Sequence, residues 1–393
     1  MPNVVSLRIE STDGAARAGS LSTPHGSVAT PAFMPVATQA SVKALTSDEV
    51  GALGAEMVLA NTYHLMLRPG ADVMRQLGSL HGFMRWPGPI LTDSGGYQIY
   101  SLGHRVDVTD EAVAFRSHLD GSLHVLSPER AVAVQEALGA DVIMALDHLT
   151  PQPADRAADE AALARTLHWA ARCREAKRRD DQALFGIVQG GLHLDLRKRA
   201  IRALEQIGFP GYGIGGLSVG ESKADMYEML TNLHAILPQD RPRYLMGVGS
   251  PEDLLEAIGN GVDLFDCVLP TRLARHGALF VPTGRVNIRK AAYRTQETPV
   301  DPTCDCPTCA HYSAAYLHHL CRSEELLYHR LATLHNLRFI FRLLEDARTA
   351  IMEQRFADFK ERFLAAYTPA SEEVRVEQRR KWQARRDSKS KKG

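Results

Sequence analysis

Cysteine is scarce in this chain, six in 393 residues, and three of the six fall within one short stretch, "DPTCDCPTCA" (301–310). Charge of one sign is missing too: 46 Lys and Arg stand against 46 Asp and Glu. No global field therefore points to nucleic acid or to a membrane, and a polyanionic partner has to be met by local patches. No apolar run approaches the ~20 residues needed to cross a bilayer. The opening "MPNVVSLRIESTDGAARAG" has no basic segment followed by an apolar one, so it does not read as a signal peptide. The expected compartment is the cytosol, where thiols stay reduced, and that argues against a disulfide knot at 304–309.

What the chain does have is apolar material, 45% of its residues, enough for a large core. Eight short runs are apolar on both faces: "PAFMPVAT" (31–38), "EMVLANTYH" (56–64), "GPILTDSGG" (88–96), "ADVIMALDH" (140–148), "ALFGIVQGG" (183–191), "GYGIGGLSVG" (211–220), "RYLMGVGS" (243–250) and "DLFDCVLPTR" (263–272). Such runs read as buried parallel strands. Helix signatures lie between them. "SPERAVAVQEALGA" (127–140) opens on a Ser cap with Pro in the first helical position and ends at Gly; "SPEDLLEAIGNG" (250–261) repeats the grammar. "EAALARTLHWAARCREAKRR" (160–179) is a longer amphipathic helix. The alternation predicts an α/β fold, a (β/α)8 TIM barrel, with a doubly wound sheet as the competitor. The first 30 residues read as a hairpin before the barrel. After residue 294 come a Cys-rich loop and helices, and the basic end "VRVEQRRKWQARRDSKSKKG" (374–393) reads as a frayed helix or flexible tail.

The Cys-x-Cys-x2-Cys run supplies three soft ligands, and a closed structural zinc site wants a fourth. His311, His318, His319, His329 and His335 all lie downstream as candidates. Four protein ligands leave no open position for water, so the site is expected to pin a loop to a helix and to take no part in chemistry. The plainer alternative is a cluster of reduced thiols. Cys173, Cys267 and Cys321 have no partner at ligand spacing and read as small buried hydrophobes.

Three of the strand runs finish in aspartate: Asp93, Asp147 and Asp266. The C-terminal ends of barrel strands form the active-site mouth. Carboxylates converging there from three strands suit binding or acid–base work, although Asp-Ser-Gly-Gly is also ordinary turn chemistry. Gln189 ends the fifth run, and Gly215 and Gly216 end the sixth, where bare backbone can approach a ligand. Carboxylate, amide and backbone together suit a flat heterocycle with a mixed donor and acceptor edge, as guanine has.

Taken in order, "LTDSGGYQIYSL", "LFGIVQGG", "IGGLSVGE", "YLMGVG", "LFDCVLPTRLARHG" and "CDCPTC" resemble one family closely, the bacterial-type (queuine) tRNA-guanine transglycosylases. The resemblance runs from about residue 5 to about 368. It implies a single catalytic barrel over 1–368 with a zinc-binding segment at about 300–340, followed by the basic tail 369–393. It implies exchange of guanine at the wobble position of tRNAs with G-U-N anticodons (Asp, Asn, His, Tyr) for a 7-deazaguanine base. Asp266 matches the family's nucleophile and Asp93 its general acid/base. Ser94, Gly95, Gly96, Tyr97, Asp147, Gln189, Gly216, Leu217 and Met246 match base-binding positions, Tyr97 and Met246 sandwiching the base. Gly247, Thr271, Arg272 and Arg275 are expected to meet RNA. One Zn2+ per chain would be held by Cys304, Cys306, Cys309 and His335, and a homodimer is implied.

The chain departs from the bacterial pattern at the end of the fourth strand, where Asp147-His148-Leu149 replaces Asp-Glu-Cys. An apolar residue there is the eukaryotic habit, but eukaryotic enzymes pair it with Gly at the position of Val219. The incoming base is therefore read as preQ1, with queuine as the alternative. His148 is read as structural, because its side chain should point away from its neighbours'. "LRKRAIR" (196–202) and "RKAAYR" (289–294) offer further charge for RNA; for the first, a solvated helix face is the preferred reading. Two other classes compete: a non-catalytic RNA-binding subunit, against which Asp93 and Asp266 speak, and a zinc hydrolase with an open coordination position at the cysteines.

Overall fold

The computed structural model describes residues 4–102, 104–150 and 154–370; most of the basic tail lies outside them. Its largest sheet has nine segments, and two of these, Ala32–Met34 and Val36–Ala37, are halves of one strand interrupted at Pro35. Proline has no N–H for the ladder, which breaks the strand there; its carbonyl still accepts from Leu59 N at 3.1 Å. Counted as one, this first strand pairs in parallel with the eighth on one side (Phe33 opposite Phe265) and the second on the other (Val36 opposite Leu59). The remaining strands, Val58–Ala60, Ile90–Thr92, Val142–Met144, Ala183–Val188, Tyr212–Ile214, Arg243–Leu245 and Leu264–Asp266, follow in chain order, so eight parallel strands close into a barrel. All eight apolar runs become barrel strands, and the doubly wound alternative is ruled out.

Alternation along each strand separates two apolar layers. Met34, Val36, Leu59, Leu91, Val142, Met144, Phe185, Ile187, Tyr244 and Leu264 pack together inside the barrel. Their neighbours Phe33, Val58, Ile90, Ile143, Leu184, Leu245 and Phe265 face outward, under the helices. Each such side chain taken from water contributes about 1.5–3 kcal/mol.

Ahead of the barrel lies a three-stranded antiparallel meander, Ser6–Asp13, Ala16–Thr23 and Gly26–Thr30, one strand more than the hairpin expected. Val5, Leu21 and Val28 from this segment join the interior cluster, so the meander plugs the barrel floor. Its attachment is partly polar. Arg17 forks onto Asp263, which immediately precedes the eighth strand, with Nε–Oδ1 at 2.7 Å and Nη2–Oδ2 at 2.5 Å. Both partners are buried.

Helix signatures hold with one difference. Ser127 Oγ accepts from Arg130 N, and the helix Pro128–Leu138 ends at Gly139 with φ +74°. Ser250 begins the helix Pro251–Gly259 without that cap bond; its hydroxyl donates instead to Asp253 Oδ2 at 2.6 Å. Between the third and fourth barrel strands the chain adds a small antiparallel sheet, His104–Val108, Val113–Arg116 and Leu123–Leu126. After the eighth strand, the hairpin Ala278–Val281/Gly284–Asn287, the Cys-rich loop and the long helix Leu326–Met352 close the side of the barrel. Asn336 on that helix accepts from Phe280 N and donates to the carbonyls of Pro270 and Ala278, all at 3.0 Å. No helix among the described residues is long and apolar enough to cross a membrane.

Candidate active site

The alternation that buries Leu91, Ile187, Tyr244 and Leu264 inside the barrel carries over two residues later to Asp93, Gln189, Met246 and Asp266 at the C-terminal mouth. Asp93 is 7% exposed. Its Oδ1 accepts from Thr62 N at 2.8 Å and its Oδ2 from Asn61 Nδ2, both donors lying just past the second strand. Burial, and secondarily the nearby negative charge of Asp266, push its carboxyl up to about 7, against the pull of those hydrogen bonds.

Asp266 ends the eighth strand. Its Oδ1 accepts from Tyr244 Oη at 2.6 Å and from Gly247 N at 2.8 Å. Burial raises this carboxyl above the ordinary aspartate value, while the two donors hold it down. Tyr244 is fully buried and its phenol is pushed well up by burial and by Asp266, so it stays protonated and donates. Among the described residues, Oδ2 of Asp266 has no hydrogen-bond donor. Its neighbour Cys267 is half-buried and lines a cavity of about 270 Å³ with Ser218, Gly247, Val268 and Arg272. The expectation of a buried hydrophobe holds for Cys173 and Cys321 but not for Cys267.

A second polar group sits beside the acids. Asp147 Oδ1 accepts from Ser94 Oγ at 2.8 Å and Oδ2 from Gln189 Nε2 at 2.7 Å. Its carboxyl too is raised by burial. Glycines are required here by contact: a Cβ on Gly96 would lie 3.0 Å from Asp147 Oδ1, and one on Gly216, at φ +67°, only 2.4 Å from Gln189 Oε1. Gly95 has a positive φ and abuts Tyr63. Leu217 is buried and Tyr97 is 48% exposed at the rim. His148 turns away onto the helix Arg156–Ala176, with its Nδ1 3.0 Å from Arg165 Nη1. Burial and that guanidinium push it down to about 4, as suits a structural role. Thr271 is buried and donates to Val268 O at 3.2 Å. Arg272 is exposed; Arg275 is half-buried with its Nη1 unpartnered among the described residues.

Three contributors were not legible in the sequence. Tyr244 and the Asn61–Thr62 pair act only because the ring of strands brings them to Asp266 and Asp93. Lys198, Arg199 and Arg202 of "LRKRAIR" form the solvated helix face expected, but Arg197 departs from it and is neither a solvated nor an RNA-facing cation. It is fully buried. Its guanidinium donates to the carbonyls of Gly191 at 2.7 Å, Val188 at 3.2 Å, Gly215 at 3.0 Å and Gly216 at 3.4 Å. It thereby ties the loop carrying Gln189 to the loop carrying Gly216. Leaving buried carbonyls without donors costs about 1–3 kcal/mol each. Arg197→Met is expected to lower the unfolding free energy in urea by about 3 kcal/mol or more. A loss under about 1 kcal/mol would show that the two loops hold themselves.

Away from the mouth, Cys304, Cys306, Cys309 and His335 are all buried and present ligand atoms within 4.8 Å of one another. His335 Nδ1 lies 3.6 Å from Cys306 Sγ and 3.3 Å from Cys309 Sγ. Tetrahedral bonds of about 2.3 Å to sulfur and about 2.0 Å to nitrogen separate such ligands by about 3.5 Å, so the donor set fits one structural metal ion. His335 Nε2 faces Phe280 O at 2.6 Å, a carbonyl that fixes the ring and leaves Nδ1 for the metal. Four protein donors leave no open coordination position, which removes the ground for metal-centred hydrolysis.

The family profile for queuine tRNA-ribosyltransferase matches residues 12–369. A protein of Herpetosiphon aurantiacus named queuine tRNA-ribosyltransferase is 55% identical over 373 residues, 95% of each chain. Proteins of the same name from Desulforudis audaxviator and Desulforamulus reducens are 56% and 52% identical, covering 90% and 93% of this chain and 96% and 99% of theirs. The chain belongs to the queuine tRNA-ribosyltransferase family, the bacterial-type tRNA-guanine transglycosylases, which are pentosyltransferases.

Proposed function

We propose that the chain replaces guanine at the wobble position of tRNAs with G-U-N anticodons by preQ1, through a covalent ester between Asp266 and the ribose. The observation that carries this reading is the unlike pair of carboxyls at the barrel mouth. Asp266 is anchored by Oδ1 to Tyr244 and Gly247, which leaves Oδ2 to attack C1′ as the bond to guanine loosens. Asp93, poised at about 7, protonates the departing base. Part of that elevation comes from the Asp266 charge. Esterification removes the charge, so the Asp93 carboxyl falls and stays ionised after giving its proton to guanine, free to take one from the incoming heterocycle. One pair of acids thus serves both halves of an exchange that needs no nucleotide cofactor.

Asp147, preorganised by Ser94 and Gln189, matches the N1–H and N2–H2 edge of guanine, with Gln189 and the Gly216 backbone facing its O6. Tyr97 and Met246 flank the base. Gly247, Arg272 and Arg275 would meet the anticodon loop, with the buried Thr271 holding that turn in place, and extruding a loop base costs less than opening a duplex. Val219 favours the compact preQ1 over queuine, whereas the buried Leu149 is the feature that keeps queuine in the test. The cysteine–histidine site would hold Zn2+, which contributes folding energy and no chemistry. A homodimer would let one subunit offer basic surface while the other reacts.

The test is incubation with a G-U-N anticodon stem-loop and labelled guanine, preQ1 or queuine. Incorporation of guanine and preQ1, with queuine at least tenfold slower, is expected. Incorporation of none of the three would overturn the reading; queuine faster than preQ1 would overturn the assignment of the base.

A further inference from the structure

A second cluster of ligand atoms lies at the opposite end of the barrel. Asp141 immediately precedes the fourth strand, and its carboxylate is completely buried. His25, on the turn between the second and third meander strands, places Nδ1 2.8 Å from Oδ1. His81, from the helix Ser79–Met84, places Nε2 3.2 Å from Oδ2. The two imidazoles stack with ring centres 3.6 Å apart and planes at 17°. One ligand atom from each of the three residues falls within 4.8 Å of the others.

The floor of the barrel has a second buried aspartate in the equivalent place, and the contrast is informative. Asp263, before the eighth strand, is neutralised by the Arg17 fork. Among the described residues, Asp141 has no arginine or lysine partner. Its partners are the two imidazoles and the backbone N–H groups of His25 at 3.1 Å and Ile90 at 2.8 Å. A buried charge persists when it is paired or coordinates a metal.

We propose that His25, His81 and Asp141 form a second metal site, for a divalent late first-row cation of the zinc type. Two imidazoles and one carboxylate are an established donor set for such ions. Bonds of about 2.0–2.1 Å in tetrahedral geometry separate nitrogen and oxygen ligands by about 3.3 Å. The 2.8 and 3.2 Å contacts run to different oxygens of Asp141 and the rings are stacked, so an ion would lie against both carboxylate oxygens once the half-exposed His25 ring turns out of the stack. His25 is 44% exposed in its side chain, which leaves an entry path and a place for a water ligand on the solvent side. The ion would clamp the meander turn to the third and fourth strands, a stabilising role at the end of the barrel away from Asp93 and Asp266.

The full-length protein is dialysed against buffered micromolar Zn2+ and its metal measured by mass spectrometry, for wild type and His25→Ala. Two equivalents are expected for wild type and one for the variant, with base exchange unchanged. Titration with Co2+ separates the sites: the first equivalent shows thiolate-to-cobalt charge transfer and the second only ligand-field bands. The variant should lose the second set, with affinity weakened more than 100-fold. A single equivalent in wild type, or a second equivalent that survives His25→Ala with unchanged affinity, would overturn the site and leave a proton-bridged His–Asp–His latch. His81→Gln, which keeps a donor to Asp141 but not the imidazole, should behave as His25→Ala does.

Discussion

Asp266→Asn should abolish base exchange, by at least about 10⁴-fold, as removal of a nucleophile does in other covalent enzymes. The substitution is nearly isosteric. Its amide oxygen can still accept from Tyr244 and Gly247, the two donors on Oδ1. Folding should therefore survive, and a thermal melt should lie close to wild type. What is lost is the anionic oxygen that has no donor. The readout is direct: wild type incubated with the stem-loop alone should trap an RNA–protein adduct on a denaturing gel, and the variant should not. Exchange within tenfold of wild type, or an adduct in the variant, removes Asp266 from the mechanism.

Asp93→Asn should cost about 10²–10⁴-fold in exchange, the usual worth of a positioned general acid. Its pH signature is more specific. With the carboxyl at about 7, wild-type kcat/KM for guanine release should fall tenfold per pH unit above neutrality, as the acid form is lost. The variant's residual rate should be flat there. Stability should move as well. An aspartate held at about 7 in the native state and near 3.8 when unfolded binds more protons folded than unfolded between those values. Native stability therefore falls as pH rises through that window, by on the order of a few kcal/mol, and is level above it. Asp93→Asn removes the penalty. Its melting temperature relative to wild type should climb from pH 4 to pH 7.5. A difference that does not change with pH would mean that Asp93 is not elevated. In Asp266→Asn, where the neighbouring charge is gone, the Asp93 carboxyl should titrate lower by NMR.

Much of this architecture was legible because its cause is local. Strands buried on both faces must be apolar throughout, so the eight runs announced themselves. Pro35 did not disguise its strand, because a missing N–H interrupts a ladder without changing which residues are apolar. Aspartates closing apolar runs marked the mouth, and three cysteines within six positions marked a set of ligands fit for a metal. The meander was harder: its third strand, "GSVAT", is five residues with no strong alternation.

Other features depended on distant partners. Arg197 sits in a run of basic residues that looks like any solvated helix face, and only the packing of two strand-end loops onto its guanidinium distinguishes it. Tyr244 lies 22 residues from Asp266, and Asn61 lies 32 from Asp93. His25 and His81 reach Asp141 across 116 and 60 residues. No periodicity encodes such meetings. The sequence by itself determined the parallel strands, the acids at their ends and the cysteine-rich loop, because burial and a shared ligand set impose composition on contiguous residues. Only the closed ring decided which oxygen of Asp266 is tethered, why the Asp93 carboxyl is elevated and what gathers at the barrel floor, because hydrogen-bond partners and desolvation are set by neighbours in space.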